Sequence, residues 1–291
     1  MAPWNGYNTA MIGILAAAAL VGVVIGMLSG MLGIGGGLVM VPVFRLAFGL
    51  SPVGATATSL FTIVPTSISG ALSHMRNKTC LPKLGLAMGI GGACTSSIGV
   101  WLAQISPGWL VMAAAALVIC YSGFTMFRKA LDAPRSDAPD IAQRQTTAEN
   151  LETSTRAAIE KPTLDLSPTQ LVQAALIGAA AGLASGYVGL GGGFIMVPLM
   201  LSITKLPMKL TSGTSLIAVL ILATPATITQ CVLGNVDYVV GIATACGTIP
   251  GAVLGARLVR MIPERTLRFI FAIFLVVAAI LLVVKELGLL G

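Results

Sequence analysis

Charge is what this chain has least of. Asp, Glu, Lys and Arg together make up 9% of its 291 residues, against about 25% in an ordinary soluble domain. No acidic residue lies well inside an apolar run. The acids sit between Asp132 and Asp165, in short loops (Asp237, Glu264), or near the C-terminus (Glu286). Proton and cation pumps usually carry an intramembrane carboxylate, so a cation substrate and carboxylate-based proton coupling are both disfavoured. Histidine occurs once, as His74 beside Arg76, where it reads as an interfacial residue. A membrane enzyme or redox protein would need a nucleophile–base pair, paired carboxylates or metal ligands within the apolar pieces. One histidine and no intramembrane acid leave nothing to build these from, so no enzyme activity and no cofactor is expected. The five cysteines have no metal-ligand spacing. Cys94, Cys120, Cys231 and Cys246 lie inside apolar segments and Cys80 in a short basic loop, and all read as small packing residues. The first ten residues hold no Lys or Arg, which argues against a cleaved signal peptide and keeps the first segment as a helix.

What the chain has in abundance is hydrophobic residues, 56% of the total, in recurring runs long enough to cross a bilayer. The formal net charge of +7 would suggest a nucleic-acid partner in a soluble protein. Here the basic residues sit in short loops beside apolar segments, where Lys and Arg set membrane orientation. The expected surroundings are a lipid bilayer and no nucleic acid.

The sequence also repeats itself. Residues 26–42 read GMLSGMLGIGGGLVMVP and residues 182–198 read GLASGYVGLGGGFIMVP, identical at ten of seventeen positions with a constant offset of 156. The same offset pairs Thr58-Ser59-Leu60 with Thr214-Ser215-Leu216, Gly99 with Gly255 and Pro107 with Pro263. No gap is needed over about eighty residues, so the chain is a duplication. Residues 1–129 form one membrane repeat and 167–291 the other. Between them, 130–166 is polar, holds most of the acids and lacks an apolar period, as a solvated linker does.

Each half divides into five apolar pieces: 9–32, 35–48, 53–75, 83–105 and 108–127, then 168–188, 191–204, 208–232, 236–258 and 267–287. If all ten cross, Arg76, Lys78, Lys83, Arg128, Lys129, Lys205, Lys209, Arg257, Arg260, Arg265 and Arg268 fall on one side, which the positive-inside rule makes cytoplasmic. Five crossings per half is odd, so the halves have opposite orientations. The expected fold is an all-α membrane protein of two inverted-topology repeats of about five segments each. The linker is then cytoplasmic and both termini are outside the cell inner membrane.

The second piece of each half is short and opens in a glycine cluster, Gly33, Gly35, Gly36 and Gly37 or Gly189, Gly191, Gly192 and Gly193. So many glycines destabilise a continuous helix by about 1 kcal/mol each. Non-helical backbone at membrane depth is tolerated only inside protein or beside a wet cavity. The clusters therefore predict broken helices, with short helices starting at Gly37 and Gly193 and offering free N–H groups and a positive dipole end to an anion. A dinucleotide-fold reading of GxGGG fails for want of a preceding strand, a βαβ unit and a later acid. Close helix crossing is the competing explanation of the glycines.

The candidate substrate-binding residues are Gly35, Gly36, Gly37, Thr58 and Ser59, with Gly191, Gly192, Gly193, Thr214 and Ser215. The Thr-Ser pairs enter as side-chain donors to the same anion, against the alternative that they bond their own helix carbonyls. Ser29 and Ser185 match each other and read as packing. Pro65 and Pro225 read as helix kinks, and Arg45 as either a snorkelling or a substrate-attracting residue.

The paired motifs GMLGIGGGLVMVP and GYVGLGGGFIMVP, each followed by Thr-Ser-Leu, resemble the duplicated signature of the sulfite exporter TauE/SafE family, over nearly the whole chain apart from the linker. The resemblance implies transport of a small sulfur-containing or carboxylic anion such as sulfite, sulfoacetate, thiosulfate or an organosulfonate. Export fits the sign of the membrane potential, since 100 mV supplies about 2.3 kcal/mol per monovalent anion, or roughly fiftyfold. An anion channel, or an importer of another small organic anion, is the alternative on the same scaffold. A homo-oligomer is compatible with the sequence.

Overall fold

In hydrocarbon each backbone N–H and C=O must find a partner within the protein, which restricts acid-free apolar runs to helices. The computed structural model describes residues 4–131, 168–203, 208–259, 261–262 and scattered positions between 266 and 280. Among the described residues there are helices and no strand. They are α1 (Trp4–Leu32), α2 (Gly37–Leu46), α3 (Pro52–Arg76), α4 (Pro82–Ile105), α5 (Gly108–Leu131), α6 (Pro168–Val188), α7 (Gly193–Ile203), α8 (Met208–Val232) and α9 (Tyr238–Leu258). Nearly all of the expected linker, and most of the expected last segment at 267–287, fall outside the described residues.

Seven of these helices are long and apolar enough to cross a membrane. The other two, α2 and α7, have 10 and 11 residues. At 1.5 Å per residue they are about 15 and 17 Å long, roughly half of a 30 Å hydrocarbon layer. The expectation of ten crossings is therefore not met by ten full-length helices, because the glycine turn takes the place of the first part of each short piece.

The helix starts follow from local chemistry. Ser51 Oγ accepts from Gly54 N at 3.0 Å, with Pro52 at the first helical position of α3, where its missing N–H costs nothing. Asp237 Oδ1 accepts from Val240 N at 3.0 Å to open α9. Leu20, Trp101, Trp109, Leu117 and Leu176 are exposed, whereas Thr58, Ser59, Thr62, Thr66 and Thr214 are buried. Apolar outside and hydroxylic inside is the arrangement a lipid-facing surface requires.

Two glycine seams hold the helices together. Along α1, Gly22, Gly26 and Gly30 lie against the α9 backbone at Thr244, Thr248 and Ala252. Along α6, Gly178, Gly182 and Gly186 lie against α4 at Met88, Gly92 and Ser96. Each contact in one seam is 156 residues from its mate in the other, and each seam joins helices of different halves. Where backbone meets backbone, only a residue without Cβ fits, which is how small-xxx-small patterns let membrane helices approach.

The rising residue numbers along both partners make α1 and α9 parallel, and likewise α6 and α4. Thr62 reaching Gly241 and Thr66 reaching Thr248 make α3 parallel to α9. Gly85, Gly89 and Gly92 meeting Thr214, Ile221 and Leu222 make α4 parallel to α8. Thr227 donating to Leu60 O and Gly70 meeting Leu216 make α3 and α8 antiparallel. Hence α1, α3 and α9 point one way and α4, α6 and α8 the other.

Candidate functional site at the glycine turns

The chain reverses between α1 and α2, and again between α6 and α7, through turns that only glycine enters without strain. Gly33, Gly35 and Gly36 have φ of 75°, 76° and 84°, and their counterparts Gly189, Gly191 and Gly192 have 75°, 84° and 72°. A left-handed conformation costs other residues roughly 1–2 kcal/mol. Helix α2 then begins at Gly37, with Val39 N and Met40 N bonding Gly36 O at 3.1 and 3.2 Å. No side chain caps Gly36. The N–H groups of Gly36, Gly37 and Leu38 precede the first intrahelical bond, so the positive end of α2 is formed by bare backbone. In α7 the same first bonds run from Ile195 N and Met196 N to Gly192 O, both at 3.1 Å.

The two turns pack against each other. A Cβ on Gly37 would stand 2.6 Å from Leu190 O, and one on Gly193 would stand 2.6 Å from Gly33 O and 2.7 Å from Ile34 Cα. Thus Gly35–Gly37 and Gly191–Gly193 are brought together at the heart of the molecule, among the buried Leu32, Ile34, Leu38, Leu190 and Phe194.

The Thr-Ser pairs sit beside these turns, each serving the opposite half. Ser59 Oγ donates to Gly189 O at 2.9 Å, and Ser215 Oγ donates to Gly33 O at 2.6 Å. Thr58 Oγ1 accepts from Asp237 N at 3.0 Å, and Thr214 Oγ1 accepts from Leu81 N at 2.9 Å while donating to Leu210 O at 2.7 Å. Every one of these interhalf bonds has its mate at the offset of 156. As placed, Ser59, Ser215 and Thr214 each give their single hydroxyl proton to a backbone carbonyl, while Thr58 Oγ1 accepts from Asp237 N. Their geometry fixes the turns and the starts of α4 and α9.

Removing such a hydroxyl strands a buried carbonyl, at a cost of about 1–3 kcal/mol. Ser59→Ala and Ser215→Ala are therefore expected to lower apparent thermal stability in detergent by similar amounts, since they occupy matched places. Equal melting temperatures for wild type and both variants would show that the clamp carries no weight.

His74 is buried, contrary to its reading as an interfacial residue. Its Nε2 lies 2.8 Å from Gly30 O and its Nδ1 2.8 Å from Thr79 Oγ1, tying the ends of α1 and α3 together. Arg45 donates to Leu50 O at 3.0 Å across the end of α2. Burial pushes the Cys80 thiol up to about 11, so it stays protonated and unreactive near neutrality. Among the described residues no group of three or more His, Cys, Asp or Glu could hold a metal ion.

Sequence reasoning missed the seam glycines of α1 and α6, although their GxxxGxxxG spacing was a readable signal. The interhalf roles of Asp237 and Leu81 had no such signal.

The profile of the sulfite exporter TauE/SafE family matches residues 18–282. The chain is 30% identical over 264 residues to "Probable membrane transporter protein YdhB" of Bacillus subtilis (strain 168), covering 88% of this chain and 94% of that protein. It is 26% identical over 267 residues to "Probable membrane transporter protein YunE" of the same organism, covering 88% and 93%. A "Probable membrane transporter protein" of Xylella fastidiosa (strain 9a5c) is 24% identical over 245 residues, covering 84% and 83%. No solved structure matches. With a profile match over most of its length and relatives named as membrane transporters, the chain belongs to the sulfite exporter TauE/SafE family and is a membrane transporter.

Proposed function

We propose that this protein moves a small sulfur-containing oxyanion, sulfite or an organosulfonate, out of the cell, holding it near the membrane midplane between the two glycine turns. The observation that carries this reading is the meeting of two glycine-led helix starts, Gly37 and Gly193, in a core free of acidic side chains among the described residues. Backbone N–H groups at a helix start attract anions through both hydrogen bonding and the dipole. In this reading Gly35, Gly36, Gly37, Gly191, Gly192 and Gly193 approach the anion. Thr58, Ser59, Thr214 and Ser215 act by holding the turns in place. The turns are closed on each other, so a transport cycle has to part them. Two oppositely directed sets of helices, meeting at α3 and α8, supply parts that can rock.

The repeats are taken to be inverted across an inner membrane, with both termini outside and the linker inside. Supporting this, Arg76 and Lys78 close α3, Lys83 opens α4, Lys209 opens α8 and Arg257 ends α9. The interhelix contacts bring all five to one end of the bundle, which the positive-inside rule makes cytoplasmic. Asp237 lies at the other end.

Efflux from proteoliposomes loaded with sulfite, sulfate, thiosulfate, sulfoacetate or acetate tests the substrate class. Saturable flux of sulfite or sulfoacetate, driven by an inside-negative potential in the outward direction, is expected. Flux of acetate alone would overturn the sulfur-anion reading. Orientation is checked with single cysteines at Gly6 and Ser136 in a background lacking the native ones. Gly6→Cys should label from outside intact cells, and labelling of Ser136→Cys there would reverse the topology.

A further inference from the structure

The two glycine turns are matched in sequence but differ in the hydroxyls and N–H groups around them. Ser29, Ser67 and Ser185 are fully buried, and none of their hydroxyls has a hydrogen-bond partner. This is unusual. A serine in an apolar helix ordinarily bonds the carbonyl of the preceding turn, as Thr62, Thr66, Thr214 and Thr224 do here. An unsatisfied buried hydroxyl lowers stability, so its retention asks for a use.

Two of the three flank the first turn. Ser67 Oγ lies 3.5 Å from where a Cβ of Gly35 would stand, and Ser29 Cβ lies 3.5 Å from the same point on Gly36. These are the glycines that lead into the uncapped start of α2. At the second turn the offset of 156 places Ser185 opposite Ser29, but Ala223 where Ser67 would be. The N–H supply differs as well. Gly193 N bonds back to Gly191 O at 2.9 Å, and among the described contacts Gly37 N has no such bond. The first turn therefore has two free hydroxyls and an open helix start, and the second has one hydroxyl and a partly closed one.

We infer that the oxyanion rests at the first turn, with Ser29 Oγ and Ser67 Oγ as its side-chain donors beside the N–H groups that open α2. This deepens the proposed function and rests on that reading. Three acceptor oxygens of a sulfite or sulfonate group suit two hydroxyls and a helix start arranged around one point.

Calorimetric titration of the purified protein with sulfite and with sulfoacetate tests it, on wild type and on Ser29→Ala, Ser67→Ala and Ser185→Ala. A hydrogen bond to a charged group is lost in the first two, so affinity should fall about tenfold or more. Ser185→Ala should change it less than about threefold. Melting temperature without anion should be unchanged or higher in all three, because an unpartnered polar group is removed. A packing role predicts the reverse, unchanged affinity with a lower melting temperature. Ser67→Ala binding within about threefold of wild type overturns the inference while leaving the proposed function standing. If the wild type binds neither anion, the proposed function falls, and this assignment with it.

Discussion

Replacing Gly36 or Gly192 with Leu is expected to abolish transport while leaving the protein folded. Gly36 has φ of 84° and Gly192 of 72°, so any side chain is strained by roughly 1–2 kcal/mol. A Cβ on Gly36 would also stand 3.0 Å from Met40 Cε and 3.1 Å from Ile25 Cγ2. Met40 Cε is the end of a flexible side chain and can shift, while Ile25 Cγ2 must give by a few tenths of an ångström. On Gly192 it would stand 3.2 Å from Ala181 O and from Leu222 Cδ2. These penalties are small against a folding stability of about 5–15 kcal/mol, so a monodisperse detergent peak is expected for both variants. The rest of the leucine lies across the start of α2 or α7, where an anion would approach the backbone N–H groups. Proteoliposome flux of sulfite or sulfoacetate at background levels is the expected reading. Flux within about twofold of wild type in both variants would remove the turns from the transport path.

A larger effect on folding is expected at the seams. Gly26 of α1 and Gly182 of α6 have no room for a Cβ, which would overlap the backbone at Thr248 and Gly92 respectively. Overpacking against side chains costs about 1–3 kcal/mol, but backbone cannot rotate away as a side chain does. Gly26→Leu and Gly182→Leu must drive α1 from α9 and α6 from α4. Both should give little monodisperse protein, and to a similar extent because the sites are matched. Gly13→Leu is the control, since nothing lies within 4 Å of its Cβ position. Should Gly26→Leu and Gly182→Leu purify and melt like the control, the seams do not hold the halves together.

The different consequences of leucine at Gly36 and at Gly26 depend on what each glycine touches, and that is where sequence and structure part. The duplication, the helical class, the approximate bounds of the long segments that the structure describes and the short helices starting at Gly37 and Gly193 were legible in the chain. They depend on composition, on a constant offset and on glycine's local conformational cost, none of which needs a partner. The family was legible too, because the paired GxGGGxxxVP pattern is local.

Three things needed the tertiary structure. The Thr-Ser pairs looked like ligand donors, and only the packing of α3 and α8 against the opposite turns showed Ser59 and Ser215 bonded to Gly189 and Gly33. His74 looked interfacial, and only the approach of α1 to α3 buried it on Gly30 O. Ser67 is one hydroxyl among many in α3, and only the packing around it leaves it buried without a hydrogen-bond partner. In each case the sequence supplied the functional group and the fold decided whether it has a partner, and which. A hydroxyl's role is set by which acceptor lies within about 3 Å, and helices brought together across some 130 to 180 residues decide that distance.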